Sequence, residues 1–238
     1  TSDFYYDDSE DPIVLRGILK KKIMQRCWFE GRDFYFMDTG YLGNQRYNLN
    51  PMGWKYWHRI VKNDLQHNEI IPRPPDRFVK LRIPIFPWKK GGRSILIAKP
   101  DEKPMKFYDM DLDQWVEETV NTIKQYSDRP IIVRERVKSR GDRVITNTLK
   151  DALSDDVHCL VTFNSNAATE SVMFGIPAFT LSPSHAAKPV TSQDLSQIEN
   201  PYYPDKDKVH AWACHLAYGQ FHNDELRNGT AWRILNEQ

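Results

Sequence analysis

The sequence predicts an α/β fold of two Rossmann-like lobes with a cleft between them and C-terminal helices crossing back over both. Three observations predict it. Residues 94–181 alternate short, wholly apolar runs with amphipathic stretches, the pattern of a parallel sheet with helical crossovers. Residues 12–42 show the same strand–helix–strand alternation on a smaller scale. A Pro/Gly-rich segment near 87–92 separates the two patterns. With 238 residues, 40% of them hydrophobic and 12% aromatic, the chain can bury ample core for such an arrangement. The expected divisions are an acceptor-binding lobe over 1–93, a nucleotide-binding lobe over 94–205, and helices over 206–238 that pack across both.

In the first lobe, Pro12 opens an extended run to Leu15, Gly17 breaks it, and residues 18–28 suit a short basic helix. The aromatic run 33–37 (DFYFM) is a strand expected to end at Asp38-Thr39-Gly40-Tyr41. Residues 43–94 carry Pro51, Pro72, Pro74, Pro75, Pro84 and Pro87 with weak periodicity, so irregular structure with short strands is expected there. In the second lobe, 94–98 (SILIA) is a buried strand. Asp111 or Asp113 caps a helix running to about Tyr126, with Trp115, Val116, Val120 and Ile123 on one face. The run 130–134 (PIIVR) is the next strand, 147–153 a short helix and 157–163 a third strand. From Lys208 the chain reads as helical through HAWACHLAYGQF and again over 223–235.

Residues 157–181 (VHCLVTFNSNAATESVMFGIPAFTL) carry the most chemistry. The strand stops at Asn164-Ser165-Asn166, a run with helical spacing follows from Ala167, Gly175 and Pro177 end it, and 178–181 is apolar again. A polar turn between a buried strand and a helix aims backbone N–H groups and the positive helix end at one point, which suits a phosphate. Glu170, one turn further in, is within reach of an attached ribose. The same residues also suit a plain helix cap with Glu170 completing a capping-box-like arrangement. After the strand PIIVR come Arg134 and Arg136, placed either to neutralise a diphosphate leaving group or as part of a solvated basic loop. His185, in LSPSHAAKP after the last strand, either enters the donor pocket or is a polar loop residue. Asp38 is a candidate general base toward an acceptor hydroxyl; its alternative is a turn-forming Asp bonding its own backbone.

Net charge is only +1, but it is unevenly spread. Residues 41–93 hold eleven Lys/Arg against three acids, a local charge of +8, so the rest of the chain carries −7. Such asymmetry points to a polyanionic partner on one side. Within that segment, NLNPMGWKYWHRIVKN interleaves aromatic rings with cations. Tyr41, Arg46, Trp54, Lys55, Trp57, His58, Arg59 and Lys62 form the candidate acceptor face, cations meeting phosphates and rings stacking on exposed bases. The bland reading keeps the tryptophans in the core and the cations on the surface.

The D-x-D run at Asp109, Asp111 and Asp113 reads first as helix capping, and the seven histidines show no paired ligand spacing, so no metal site is expected. No run approaches the ~18 apolar residues of a membrane helix. The acidic, aromatic start TSDFYYDDSEDP is unlike a secretory signal. Cys27, Cys159 and Cys214 read as buried reduced thiols. Together these point to a cytoplasmic protein without a bound cofactor.

The pattern VTFNSNAATESVMFGIPAF resembles the donor-binding lobe of two-lobed (GT-B type) glycosyltransferases and of the related UDP-N-acetylglucosamine 2-epimerases. In those families the strand leads into a Ser/Gly turn on the nucleotide phosphates, and an acid some five residues on binds the ribose. Ser165, Asn166, Ala167 and Glu170 fall on that pattern, with Asn and Ala where the epimerases have glycines. FYFMDTGYLGN, KNDLQHNEI and LAYGQFHNDEL resemble small glycosyltransferase-like proteins of tailed phages. The resemblance implies sugar transfer from a UDP-sugar, as co-substrate, to a 5-hydroxymethylpyrimidine in DNA within the host cytoplasm. Two other readings use the same residues. A nucleotide-sugar epimerase or hydrolase needs no basic acceptor face. A non-catalytic nucleic-acid-binding protein would keep a degenerate form of the sugar-nucleotide fold.

Overall fold

The computed structural model describes residues 10–18, 21–42, 57–135, 149–153 and 156–237. The chain begins with β1 (Ile13–Arg16), α1 (Lys21–Glu30) and β2 (Phe34–Thr39), and β1 pairs parallel to β2. α1 buries Met24 and Cys27 against Leu15, Phe34 and Phe36. The chain then departs from the Rossmann-like first lobe expected. β3 (Trp57–Lys62) runs antiparallel to β2, pairing Tyr35 with Lys62 through to Thr39 with His58. α2 (Asp76–Leu81) follows.

The second half alternates as the apolar runs predict. It comprises β4 (Ser94–Ala98), α3 (Glu102–Phe107), α4 (Leu112–Lys124), β5 (Ile131–Arg134), α5 (Leu149–Ala152), β6 (Val157–Thr162), α6 (Ala167–Met173) and β7 (Ala178–Thr180). Every pairing in this sheet is parallel, in the order β5-β4-β6-β7. β4 and β6 are buried along their whole length, as continuous apolar strands covered on both faces are. α4 turns Trp115, Thr119 and Ile123 inward, one residue per helical turn. Its cap is Asp111, whose carboxylate accepts from Gln114 N at 2.8 Å. The neighbouring acids pair with lysines, Asp109 with Lys21 and Asp113 with Lys99.

The tail is not helical throughout. α7 (Lys206–Tyr218) ends at Gly219, and β8 (Gln220–His222) joins the first sheet beside β3 before α8 (Asn223–Arg227) and α9 (Thr230–Asn236). The first sheet is therefore mixed, in the order β1-β2-β3-β8. Gln220 clasps Leu42 with two hydrogen bonds of 2.8 Å, one to its N–H and one to its carbonyl. α7 packs its other residues with the second sheet: Trp212, fully buried, donates to Ala186 O at 2.7 Å. α9 places Ala231 and Ile234 against Tyr35, Ile60 and Phe221 of the first sheet. All three cysteines are buried. Among the described residues no helix is long and apolar enough to cross a membrane.

The Pro/Gly segment near 87–92 is packed rather than a free linker. Phe86 N donates to Met173 O and Lys89 N to Gly175 O, at 2.9 and 2.7 Å. Gly175 ends α6 in a left-handed conformation (φ 74°). Ile176 N bonds Ser171 O and Gly175 N bonds Val172 O, the two bonds of a Schellman stop. A Cβ at Gly175 would lie 2.0 Å from Pro87 O, whereas one at Gly229, with a similar φ of 80°, meets nothing within 4 Å. Gly175→Ala is therefore expected to cost more than the ~1–2 kcal/mol of left-handed backbone strain that Gly229→Ala incurs. Urea unfolding of the two variants measures the difference, and equal costs would contradict the close approach of Pro87.

Candidate functional site

β6 delivers the chain to Asn164, Ser165 and Asn166 at the carboxyl edge of the parallel sheet, where all three are partly exposed together with Glu170. Ala167, the other residue of the turn's predicted set, is buried. Ser165 Oγ accepts from Ala167 N at 3.2 Å, so Ser165 does perform local capping. Arg134 stands at the same edge. It is in register with Ala98, which is in register with Thr162, so Arg134 and the end of β6, two residues before the turn, are two strand spacings apart, about 10 Å. Arg136 lies outside the described residues.

His185 does not project into an open pocket. Its ring is 1% exposed, its Nδ1 accepts from Ala187 N at 2.9 Å, and its Nε2 lies 3.1 Å from Ser165 O. With Nδ1 accepting, the proton sits on Nε2 and is donated to that carbonyl. Burial pushes the ring pKa down to about 4, so His185 is a neutral strut under the turn.

Two hydrogen bonds join loops of the first sheet to the second, one at the turn after β6 and one at the loop after β7. Asn166 Nδ2 donates to Gly40 O at 3.2 Å, and Ser184 Oγ donates to Asp64 Oδ1 at 2.9 Å. Asp38, two residues before Gly40, is the penultimate residue of its strand. β2 continues to Thr39 because β3 pairs along it, and Asp38 stands opposite Arg59. Its Oδ2 accepts from Arg59 Nη2 at 3.2 Å and its Oδ1 from Thr39 N at 2.7 Å. The Asp38 side chain is 39% exposed and that of Arg59 9%, so the carboxylate has an open side and the guanidinium does not.

The expected acceptor face is divided by the fold. Arg59 turns inward, donating to Thr39 O and lying over the Phe36 and Tyr41 rings at 5.7 and 5.2 Å. Tyr41 is fully buried; its hydroxyl accepts from His67 N at 3.0 Å and lies 3.2 Å from His67 Nδ1. Burial pushes the Tyr41 phenol up to about 12, with the charge of Arg59 opposing. His58 is buried against Asn223 Oδ1 at 3.0 Å. Trp57 is half-buried, edge-on to His222. Lys62 remains at the surface, paired with Asp33 at 2.6 Å. Arg46, Trp54 and Lys55 lie outside the described residues. Tyr41, His58 and Arg59 thus act in the core: β3 is an inner strand buried on both faces from His58 to Val61, and the start of the loop after β2 is buried with it.

Three residues of this junction were not singled out as site residues from the sequence: Asp64, His67 and Ser184. Asp64 and His67 stand three apart in KNDLQHNEI, a run without helical or strand period. Burial, with the positive charges of Arg59 and Arg73 and the neighbouring His215, pushes His67 down to about 3. His215 is held to about 4 by burial and Arg73.

The sequence matches no protein-family model and no curated protein. Among solved structures that match is KpsC of Thermosulfurimonas dismutans, a beta Kdo 2,4 transferase, at 12% identity and a TM-score of 0.44, covering 84% of this chain and 78% of that one. A likeness that distant assigns neither a site nor a substrate to this chain.

His67, His185 and His215 are all neutral in the fold with pKa values depressed from 6.5. The unfolded chain therefore takes up protons that the folded chain rejects, between about 6.5 and their folded values. Their stabilising contribution is complete above that window and declines as pH falls through it. Urea melts at pH 7.5 and 5.0 should differ by several kcal/mol, with lower stability in acid. A flat profile would place these rings in contact with water.

Proposed function

We propose that this chain is a glycosyltransferase that moves a sugar from a nucleotide sugar, UDP-linked, to a hydroxyl acceptor. The observation that carries the reading is the β6–turn–α6 unit. It sets partly exposed Asn164, Ser165, Asn166 and Glu170 at the carboxyl edge of a parallel sheet, where ligands of such sheets bind. Asn166 also ties that edge to the Asp38–Gly40 segment of the other sheet. In this reading the two sheets are the cores of GT-B-like lobes, 1–93 binding the acceptor and 94–205 the donor, with 206–238 across both.

The proposed reaction is a direct displacement. The acceptor hydroxyl gives its proton to Asp38 and its oxygen bonds to the anomeric carbon. The bond from that carbon to the diphosphate breaks, and the diphosphate leaves with the electron pair. Arg134, Arg136 and the N–H groups after Ser165 offset the charge on the leaving group, and Glu170 receives the ribose hydroxyls. Thr39 N and Arg59 orient the Asp38 carboxylate by holding one oxygen each. Asp38→Asn keeps this shape but cannot take the proton. It should lower turnover by roughly 10²–10⁴-fold with donor affinity unchanged. Turnover near that of the native chain would remove Asp38 from the mechanism.

For the acceptor, the +8 segment and the phage-like motifs favour a 5-hydroxymethylpyrimidine in DNA. A specific observation favours a saccharide hydroxyl instead. Arg59, Lys62, Arg77 and Arg93 of that segment are each paired with a carboxylate, of Asp38, Asp33, Glu225 and Asp156. A panel of UDP-sugars offered with hydroxymethylated DNA, unmodified DNA or no acceptor, read by nucleoside mass spectrometry and UDP release, separates the readings. DNA as acceptor predicts a glycosylated nucleoside and binding that falls steeply with salt. Turnover without any acceptor would identify an epimerase or hydrolase, and DNA binding without UDP release a non-catalytic binder.

A further inference from the structure

Two arginines pack over one tyrosine ring behind the sheet junction, and they are treated very differently. Arg73 and Arg77 each place a guanidinium carbon 5.5 Å from the Tyr218 ring centre. Arg77 engages all three of its nitrogens, on Ala217 O, Gln220 O and both carboxylate oxygens of Glu225. Arg73 has its Nε and Nη2 buried with no hydrogen-bond partner. Those two nitrogens form the side-on fork of a guanidinium, the edge that grips a carboxylate or phosphate with two parallel hydrogen bonds.

The fork has a companion one turn back along α7. His215 shares the inner face with Tyr218 and is 2% exposed, and neither of its ring nitrogens has a hydrogen-bond partner. His67 lies edge-on to His215 at 5.3 Å, held by its contact with Tyr41 and by the bare backbone of Gly219. The charge of Arg73 is close enough to lower the pKa of both histidines. Burying a forked cation and a histidine without partners is costly in a folded chain, and each such group calls for an explanation.

The segment that carries Arg73 is irregular and held by side chains rather than by backbone pairing. Residues 70–75 (IIPRPP) have no regular structure, and Pro72, Pro74 and Pro75 have no N–H to donate. Among the described residues no backbone-to-backbone hydrogen bond ties residues 64–74 to the rest of the chain. The flanking prolines are exposed while the guanidinium edge is covered.

We propose that Arg73, with His215 and His67, forms an oxyanion subsite under the 70–75 strap that receives a carboxylate or phosphate group of a ligand. The fork supplies two hydrogen bonds and the charge; neutral His215 supplies one N–H. The site does not depend on the glycosyl-transfer reading and is tested without it.

The test titrates inorganic phosphate and acetate separately into the full chain at constant ionic strength, by calorimetry and by melting temperature. One saturable site is expected, and the anion that binds tighter names the ligand group. Arg73→Lys keeps the charge but loses the fork and should weaken binding at least tenfold. Arg73→Leu should abolish binding while leaving the melting temperature of the anion-free protein unchanged or higher, because a desolvated edge is removed. Absence of saturable binding to either anion, equal affinity in Arg73→Lys, or a lower anion-free melting temperature in Arg73→Leu would each overturn the proposal; the last would make Arg73 a structural residue.

Discussion

The joint between the two sheets is the constraint on which the rest of the structure rests. Asn166 reaches from the turn after β6 to the carbonyl of Gly40, and Ser184 reaches from the loop after β7 to Asp64. Each bond joins a loop of one sheet to a loop of the other; on the second sheet both leave the carboxyl edge, whereas on the first the antiparallel β2 and β3 place Gly40 and Asp64 at opposite strand ends. His185 fixes the turn from below by donating to Ser165 O, so Asn166 is presented in one orientation. The turn after β6 and the segment after β2 are thereby held as direct neighbours.

Behind the joint, the C-terminal segment supplies the mass that keeps it closed. α7 buries Trp212, Leu216 and Ala217 with residues of the second sheet, and β8 then crosses into the first. Gln220 holds Leu42 by both backbone groups, and Arg77 ties α2 to the turn after α7 and to Glu225. Glu225 is itself part of the capping box of α8, its carboxylate accepting from His222 N. Burial would raise the Glu225 pKa, but hydrogen bonds from Arg77 and His222 N more than offset it and hold the carboxyl below its usual range. One side chain thus links a helix start, a strand and a distant helix.

The charge of the middle segment shows how composition and surface can diverge. Eleven cations against three acids between residues 41 and 93 describe a strongly basic stretch of chain. In the fold the compensating acids arrive from elsewhere in sequence, Asp33 and Asp38 from the first strand–helix–strand unit, Asp156 and Glu225 from the second half and the tail. Ion pairs at the surface contribute little to stability, but they change what a partner meets. A local net charge read along the chain is therefore not a potential on one face.

The second sheet and its turn were legible in the sequence because their information is local. Continuous apolar runs such as SILIA and VHCLVT have strand length and read as strands buried on both faces, Gly175 with Pro177 stops α6, and the polar turn between β6 and α6 follows from the change in period. The first sheet was only half legible. β1, α1 and β2 follow from their runs, but the pairing of β3 and β8 depends on partners far away in sequence, and a three-residue strand has no period to read. The same limit governs the site. Residue type marked Asp38, Ser165 and Glu170, yet the burial of His58, Arg59, Tyr41 and His185 follows from which neighbours the packed sheets bring against them. Local alternation of apolar and polar residues is written in the chain, whereas the partner of each polar group is a long-range contact and exists only once the tertiary structure has formed.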